Sequence, residues 1–181
     1  MTTIKRQWRI NKVMALLLVT LLMLPNIRVW AGDSFSIYLV RHAEKQKKGD
    51  NPSLTACGAV RAKQLAALLS QTNIAAIYST SYQRTMQTAQ PLARLTKLPI
   101  KNYNPKSLEQ LAFQLKRHKK NTLIVGHSNT TPILTALLSS QPVGALSEDD
   151  YQMLYQVQFS QKTPVITIFK QPLQCTKHSG K

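Results

Sequence analysis

An open α/β fold is what this sequence predicts: a mostly parallel sheet flanked by helices on both faces, with an antiparallel hairpin at the C-terminal end. Three observations carry the prediction. Short, near-continuous apolar runs recur, and each stops on polar residues, as strands covered on both faces do. Helical stripes lie between them. The last two strand-like runs have no helix between them, so they pair as a hairpin and not through a crossover.

The first run, Phe35 to Val40, ends on Arg41 and His42. Thr55 then reads as the N-cap of a helix whose Ala62, Leu65, Leu68 and Leu69 share a face. Ile74 to Tyr78 is the second run. Tyr82 to Thr96 is the helix after it, with Met86, Ala89 and Ala93 in register and Pro91 expected to kink or divide it. Asn104-Pro105 is a good helix start ahead of Leu108, Leu111 and Leu115. After the run Leu123 to Val125, Thr131-Pro132 opens a helix carrying Ile133, Leu134, Leu137 and Leu138. Met153 to Phe159 and Val165 to Phe169 make the hairpin. The basic stretch from Lys45 to Asp50 reads as a mobile loop.

Residues 1–31 stand apart from this pattern. Met1 to Lys12 carries Lys5, Arg6, Arg9 and Lys12 and no acid, Val13 to Leu24 is apolar, and Pro25 to Ala31 ends in Val-Trp-Ala. That is the three-part layout of a secretory signal peptide, with Val29 and Ala31 placed for cleavage before Gly32. The apolar run is shorter than the roughly 20 residues a membrane-spanning helix needs. Cleavage is therefore preferred to an uncleaved anchor, and no cysteine stands there to take a lipid. Residues 32–181 are then the mature domain of a secreted or periplasmic protein.

Of the 24 Lys and Arg in the chain, five lie in residues 1–31 together with none of the seven acids, which leaves the mature part at +12. Such a field favours anionic partners: phosphorylated metabolites, nucleic acid or an acidic membrane. The basic residues are scattered, apart from clusters at 45–48 and 116–120, and no aromatic residues interleave with them to stack bases. A small anionic phosphorylated substrate is the preferred partner. Neither nucleic acid nor a stable membrane anchor is expected. Cys57 and Cys175 are the only cysteines. Export permits a bond between them, but the preferred reading is a small buried side chain and a tail thiol.

Ligand sites in open α/β sheets lie beyond the carboxyl ends of the strands. The first strand delivers Arg41 and His42 there, the second delivers Ser79 to Thr85 with Arg84, and the run ending at Val125 delivers Gly126-His127-Ser128-Asn129. Two arginines and two histidines thus reach one edge from three distant segments. Guanidinium groups hold a phosphoryl group through bidentate, charge-assisted hydrogen bonds. A neutral imidazole is a competent nucleophile, and nearby arginines depress its pKa. A second histidine can donate to the transferring oxygens. His118, in a basic helix end, and His178, in a polar tail, read as solvated surface. The residue set calls for no metal and no cofactor.

Four segments resemble the histidine phosphatase superfamily, the phosphoglycerate mutase-like fold. Arg41-His42-Ala43 is similar to its Arg-His-Gly signature, Leu54 to Gly58 to its Leu-Thr-x-x-Gly helix entry, Arg84 to Ala89 to its Arg-Thr-x-x-Thr-Ala segment, and Gly126-His127 to its second histidine. The resemblance implies that His42 is the phosphorylated nucleophile, that Arg41 and Arg84 bind the phosphoryl group, and that His127 completes the pocket. Ala43 departs from the usual glycine, which leaves room for phosphate. Ser128 follows His127 where the phytase branch has an acid. Glu109 lies where mutase-like members carry theirs and is the candidate acid, although its place beside Leu108 and Leu111 favours a solvated surface carboxylate. Glu44 reads as a loop carboxylate paired with a lysine. The short phosphohistidine phosphatases of the superfamily are similar in size and in lacking an obvious acid.

The expected activity is hydrolysis of a phosphate ester or phosphoramidate through a phosphohistidine on His42. Mutase activity is disfavoured, because the chain lacks the long insertions that hold a second phosphorylated group. The alternative is a non-catalytic phospho-ligand binder with the same pocket.

Overall fold

The sheet is built outward from strand β1 (Phe35–Arg41), every residue of which is buried. The computed structural model describes residues 34–160 and 162–172; the expected signal segment, Cys175 and His178 lie outside the described residues. On one side β1 pairs in parallel with β4 (Thr122–Gly126), which pairs in parallel with β2 (Ala76–Ser79), and β2 with β3 (Ile100–Asn102). On the other side lie the antiparallel strands β5 (Met153–Phe159) and β6 (Val165–Lys170), the expected hairpin. The order is β3-β2-β4-β1-β5-β6.

Among the described residues, four helices cover the two faces: α1 (Ala56–Leu69), α2 (Gln83–Thr96), α3 (Leu108–His118) and α4 (Thr130–Ser139). Side chains alternate across a strand, and β1 shows the consequence. Tyr38 and Val40 pack with Leu65 and Leu69 of α1 and Leu92 of α2. Ile37 and Leu39 pack on the opposite face with Leu111 and Leu115 of α3 and Leu134 and Leu138 of α4. Both faces are buried, which is why the strand reads as a continuous apolar run.

Several expectations need correction. Strand β3 carries little apolar signal, because Ile-Lys-Asn is an edge strand with its last two residues exposed. Helix α2 runs through Pro91 as one element. Its buried face, Thr85, Thr88, Ala89 and Leu92, spans the proline and is held by the core on either side of it, and Met86 is not part of that face. Helix α3 begins at Leu108 with Ser107 as its N-cap. Asn104-Pro105 does not start it, because the Asn104 side chain accepts the Lys106 N–H at 2.9 Å and closes a local turn. On α1, Leu68 is exposed and Arg61 is buried in its place. Ile133 on α4 is also exposed.

The N-cap assigned to Thr55 is present: its hydroxyl accepts the Gly58 N–H at 3.0 Å. The stretch from Lys45 to Asp50, expected to be a mobile loop, is held at its base. Gln46 N–H donates to Ser53 and Thr55 N–H to Glu44, both at 2.9 Å, and Lys45 bridges Leu54. Cys57 is disulfide-bonded, against the free-thiol reading. Among the described residues, no helix is long and apolar enough to cross a membrane.

Candidate active site

Register decides where the site forms. Arg41 pairs with Gly126, and Ser79 pairs with Val125, so three parallel strands end at one level and release their following residues to one edge. The His42 N–H donates to the Gly126 carbonyl at 3.0 Å, extending the ladder one residue past β1. Gly126 is crowded: a Cβ there would stand 2.9 Å from both the Thr130 and the Tyr103 hydroxyl oxygens, and those side chains would have to shift.

The imidazoles of His42 and His127 meet edge to face with centroids 5.6 Å apart. His42 is 3% exposed. Its Nδ1 lies 2.8 Å from the Ala43 carbonyl oxygen. A carbonyl only accepts, so Nδ1 carries the proton and Nε2 keeps its lone pair. Burial, reinforced by Arg41 and Arg84, lowers the His42 pKa to about 3. The imidazole is therefore neutral at physiological pH, with burial the larger cause and the arginines the smaller. Ala43 sits in this turn without left-handed backbone, and its N–H is taken by the Thr88 hydroxyl at 3.0 Å. Alanine replaces the signature glycine here without strain.

His127 is held by Thr80, whose hydroxyl oxygen lies 3.0 Å from Nε2. The Thr85 hydroxyl donates to backbone carbonyls and lies 2.9 Å from the Thr80 hydroxyl. Each group is satisfied when Thr80 donates to Thr85 and His127 Nε2–H donates to Thr80. Burial first, then Arg84 and Arg41, lower the His127 pKa to about 4.

Each arginine lies over a tyrosine: Arg41 over Tyr151 at 4.2 Å and Arg84 over Tyr82 at 4.3 Å. The same tyrosines touch the histidines, Tyr151 against His42 and Tyr82 against His127. Arg41 is 2% exposed. It donates through Nη1 to the Ser147 carbonyl at 2.9 Å and through Nη2 to Glu148 Oε2 at 2.7 Å. The Nε–H groups of both Arg41 and Arg84 are buried without a hydrogen-bond partner among the described residues. Two desolvated donors beside one cavity suit an oxyanion.

That cavity, of about 540 Å³, is lined by Arg41, His42, Arg84, His127, Tyr82 and Glu148 among others. The sequence-predicted residues Arg41, His42, Arg84 and His127 are brought together. Glu109 is not: it is exposed in the first turn of α3 and does not line the cavity, because Leu108 and Leu111 turn the opposite face of the helix into the core. Glu148 is the carboxylate that lines the pocket. Its pKa is lowered by the Ser128 hydroxyl, which donates at 2.5 Å, and by Arg41. Three of the seven acids of this basic chain fall at 148–150, a local reversal of charge that marks the loop. Tyr82 and Tyr151 left no comparable signal.

Glu44 supports the site from behind, but its partner is not a lysine. It pairs with the buried Arg61 of α1, with Nε 3.0 Å from both carboxylate oxygens and Nη2 2.6 Å from Oε1. Gly58 lets α1 approach this turn, since a Cβ there would collide with the Glu44 carbonyl. The Leu-Thr-x-x-Gly pattern is thus a docking contact between α1 and the segment that follows His42.

Residues 37–104 match the model of the histidine phosphatase superfamily, branch 1. No curated protein matches the chain. Among solved structures, it is similar to the protein histidine phosphatase SixA complexed with tungstate, at 13% identity and TM-score 0.62, over 75% of this chain and 97% of that one. It is similar to mycobacterial glucosyl-3-phosphoglycerate phosphatase with inorganic phosphate, at 12% identity and TM-score 0.58, over 77% and 97% of the two chains. A putative α-ribazole-5'-phosphate phosphatase from Escherichia coli K-12 shares 16% identity at TM-score 0.61, over 79% and 99%. These likenesses are of fold. The sequence match to that family model spans residues 37–104, and the six-stranded fold is the one these solved structures share.

Proposed function

We propose that the protein is an exported phosphatase that passes the phosphoryl group of its substrate first to His42 and then to water. One observation carries the reading: His42 is neutral, its Nδ1 proton is committed to Ala43, and it lines one cavity with Arg41, Arg84 and His127. Nε2 attacks phosphorus as the bond to the leaving group breaks. Arg41 and Arg84 hold the non-bridging oxygens through their unused Nε–H donors and their Nη groups. Water then attacks the phosphohistidine, releasing phosphate and restoring the neutral imidazole.

A phosphate dianion in the pocket favours the charged form of His127 and so raises its pKa from about 4. Once protonated, His127 donates to the transferring oxygens. The dianion also competes with Glu148 for Arg41. A displaced Glu148 faces an anion in place of a guanidinium, which raises its own pKa and lets it protonate the departing oxygen. These roles rest on the positions of the side chains and on the chemistry of the superfamily.

Quenching the protein during turnover of an aryl phosphate tests the reading. Acid-labile, base-stable phosphate on the wild-type chain and none on His42→Asn is the expected result; asparagine keeps the donor to Ala43 while removing the nucleophile. Tight vanadate binding with no phosphate release would instead make the protein a phospho-ligand binder.

A further inference from the structure

A second concavity, of about 670 Å³, adjoins the phosphoryl pocket and shares Ser128, Asn129 and Glu148 with it. The two differ in chemistry. Beyond the shared residues, the second is walled by Ile133, Ala136 and Leu137 of α4 and by Val143 and Leu146 of the segment after it. Ile133, Ala136 and Leu137 fall at the i, i+3, i+4 spacing of one helix face. Ile133 is 52% exposed, whereas Leu137, Val143 and Leu146 are partly buried and pack on the core. The groove therefore has a floor anchored in the fold and an apolar wall left open to water. Its size falls within the range of about 300–1,000 Å³ typical of small-molecule sites.

We propose that this groove is the leaving-group subsite, and that the substrate joins its phosphoryl group to a small apolar moiety such as an aryl or short alkyl group. The assignment rests on the phosphatase reading for the phosphoryl end. Continuity sets the occupant. A molecule with phosphate between Arg41 and Arg84 must extend somewhere, and the groove starts at the residues that border the phosphoryl pocket. Glu148 belongs to both linings, so the junction between them is also where a leaving oxygen would meet a carboxylate. An occupant that is apolar along its length and dianionic at one end matches both linings. The apolar face of a second copy would bring no anion to the arginine end.

Alkylphosphonates test the groove without needing turnover. Methyl-, butyl- and hexylphosphonate are titrated calorimetrically into the full chain, into Ile133→Asp and into Ala136→Glu, while the matching alkyl phosphates are assayed for hydrolysis. Affinity of the wild type is expected to rise about two- to fourfold per methylene, up to the value for full burial. Both variants should lose that gain and keep the wild-type affinity for methylphosphonate. Equal affinity along the series in the wild type overturns the subsite, even if all the phosphates are hydrolysed. A length-dependent affinity with no hydrolysis keeps the groove and removes the phosphatase reading. Sedimentation of the same samples separates the remaining occupant: if Ile133→Asp turns a dimer into a monomer and leaves phosphonate affinity unchanged, copies of this chain cover the groove and the proposal falls.

Discussion

Arg41 and Glu148 form an ion pair at 2.7 Å in which the arginine side chain is 1% exposed and the glutamate side chain 79%. One partner is fixed in the sheet and the other stands in water. The buried guanidinium cannot leave the site, whereas the exposed carboxylate can move into water once another anion takes its place on the guanidinium. On the proposed reading, Glu148 is a removable anion on a permanent phosphate clamp.

Glu148→Gln is expected to bind inorganic phosphate and vanadate more tightly than the wild type, because the competing anion is gone. It should hydrolyse alkyl phosphates at least tenfold more slowly and aryl phosphates nearly as fast, since a phenolate leaves without a proton. Glu109→Gln should behave as wild type with both. Steady-state rates on hexyl and phenyl phosphate decide the matter: equal losses on the two substrates would assign Glu148 to holding the phosphoryl group and not to proton transfer.

Arg84 lies over Tyr82 and keeps a buried Nε–H with no hydrogen-bond partner among the described residues. Arg84→Lys supplies a point charge without the planar fork or the stacking face. A loss of roughly 2–4 kcal/mol in transition-state stabilisation is expected for Arg84→Ala, as for other preorganised donors, with lysine restoring only part of it. The check is kcat/KM together with the inhibition constant for vanadate, which should weaken in parallel.

The histidines give stability a pH signature. Their folded pKa values, about 3 for His42 and about 4 for His127, lie below the roughly 6.5 of an unfolded histidine. Between these values the unfolded chain binds more protons than the folded one, so stability falls as pH drops from about 6.5 toward 4 and 3. Above about 6.5 this contribution is fully present. Urea denaturation between pH 4 and 8 should show the slope in the wild type and a shallower one in His42→Asn. Parallel slopes would mean that His42 is accessible to protons in the folded state.

The contact between α1 and the Glu44 turn is expected to govern stability. Glu44→Gln takes the carboxylate from Arg61, whose side chain is 3% exposed. Breaking a buried pair in this way costs about 3–5 kcal/mol. Gly58→Ala forces its new methyl against the Glu44 backbone, and overpacking of this kind costs about 1–3 kcal/mol. Denaturant midpoints measure both. A neutral Gly58→Ala would show that α1 can shift without disturbing the segment after His42.

Local pattern was enough to expose three of the four parallel strands, the hairpin, the Thr55 cap and four of the residues in the pocket. Each of these follows from short-range physics: a strand buried on both faces must be apolar throughout, and Arg41, His42, Arg84 and His127 each lie within a few residues of the end of such a run. What the sequence could not determine depends on contacts between distant segments. Pro91 stays inside α2 because tertiary packing holds both sides of it. The outward position of Glu109, by contrast, was legible, because Leu108 and Leu111 mark the buried face of α3. Glu148 and Tyr151 reach Arg41 only because β5 returns antiparallel beside β1 and brings the loop before it over the strand ends. Whether a histidine is neutral is likewise a matter of burial, the largest cause of both lowered pKa values. Burial belongs to the assembled fold and to no single stretch of chain.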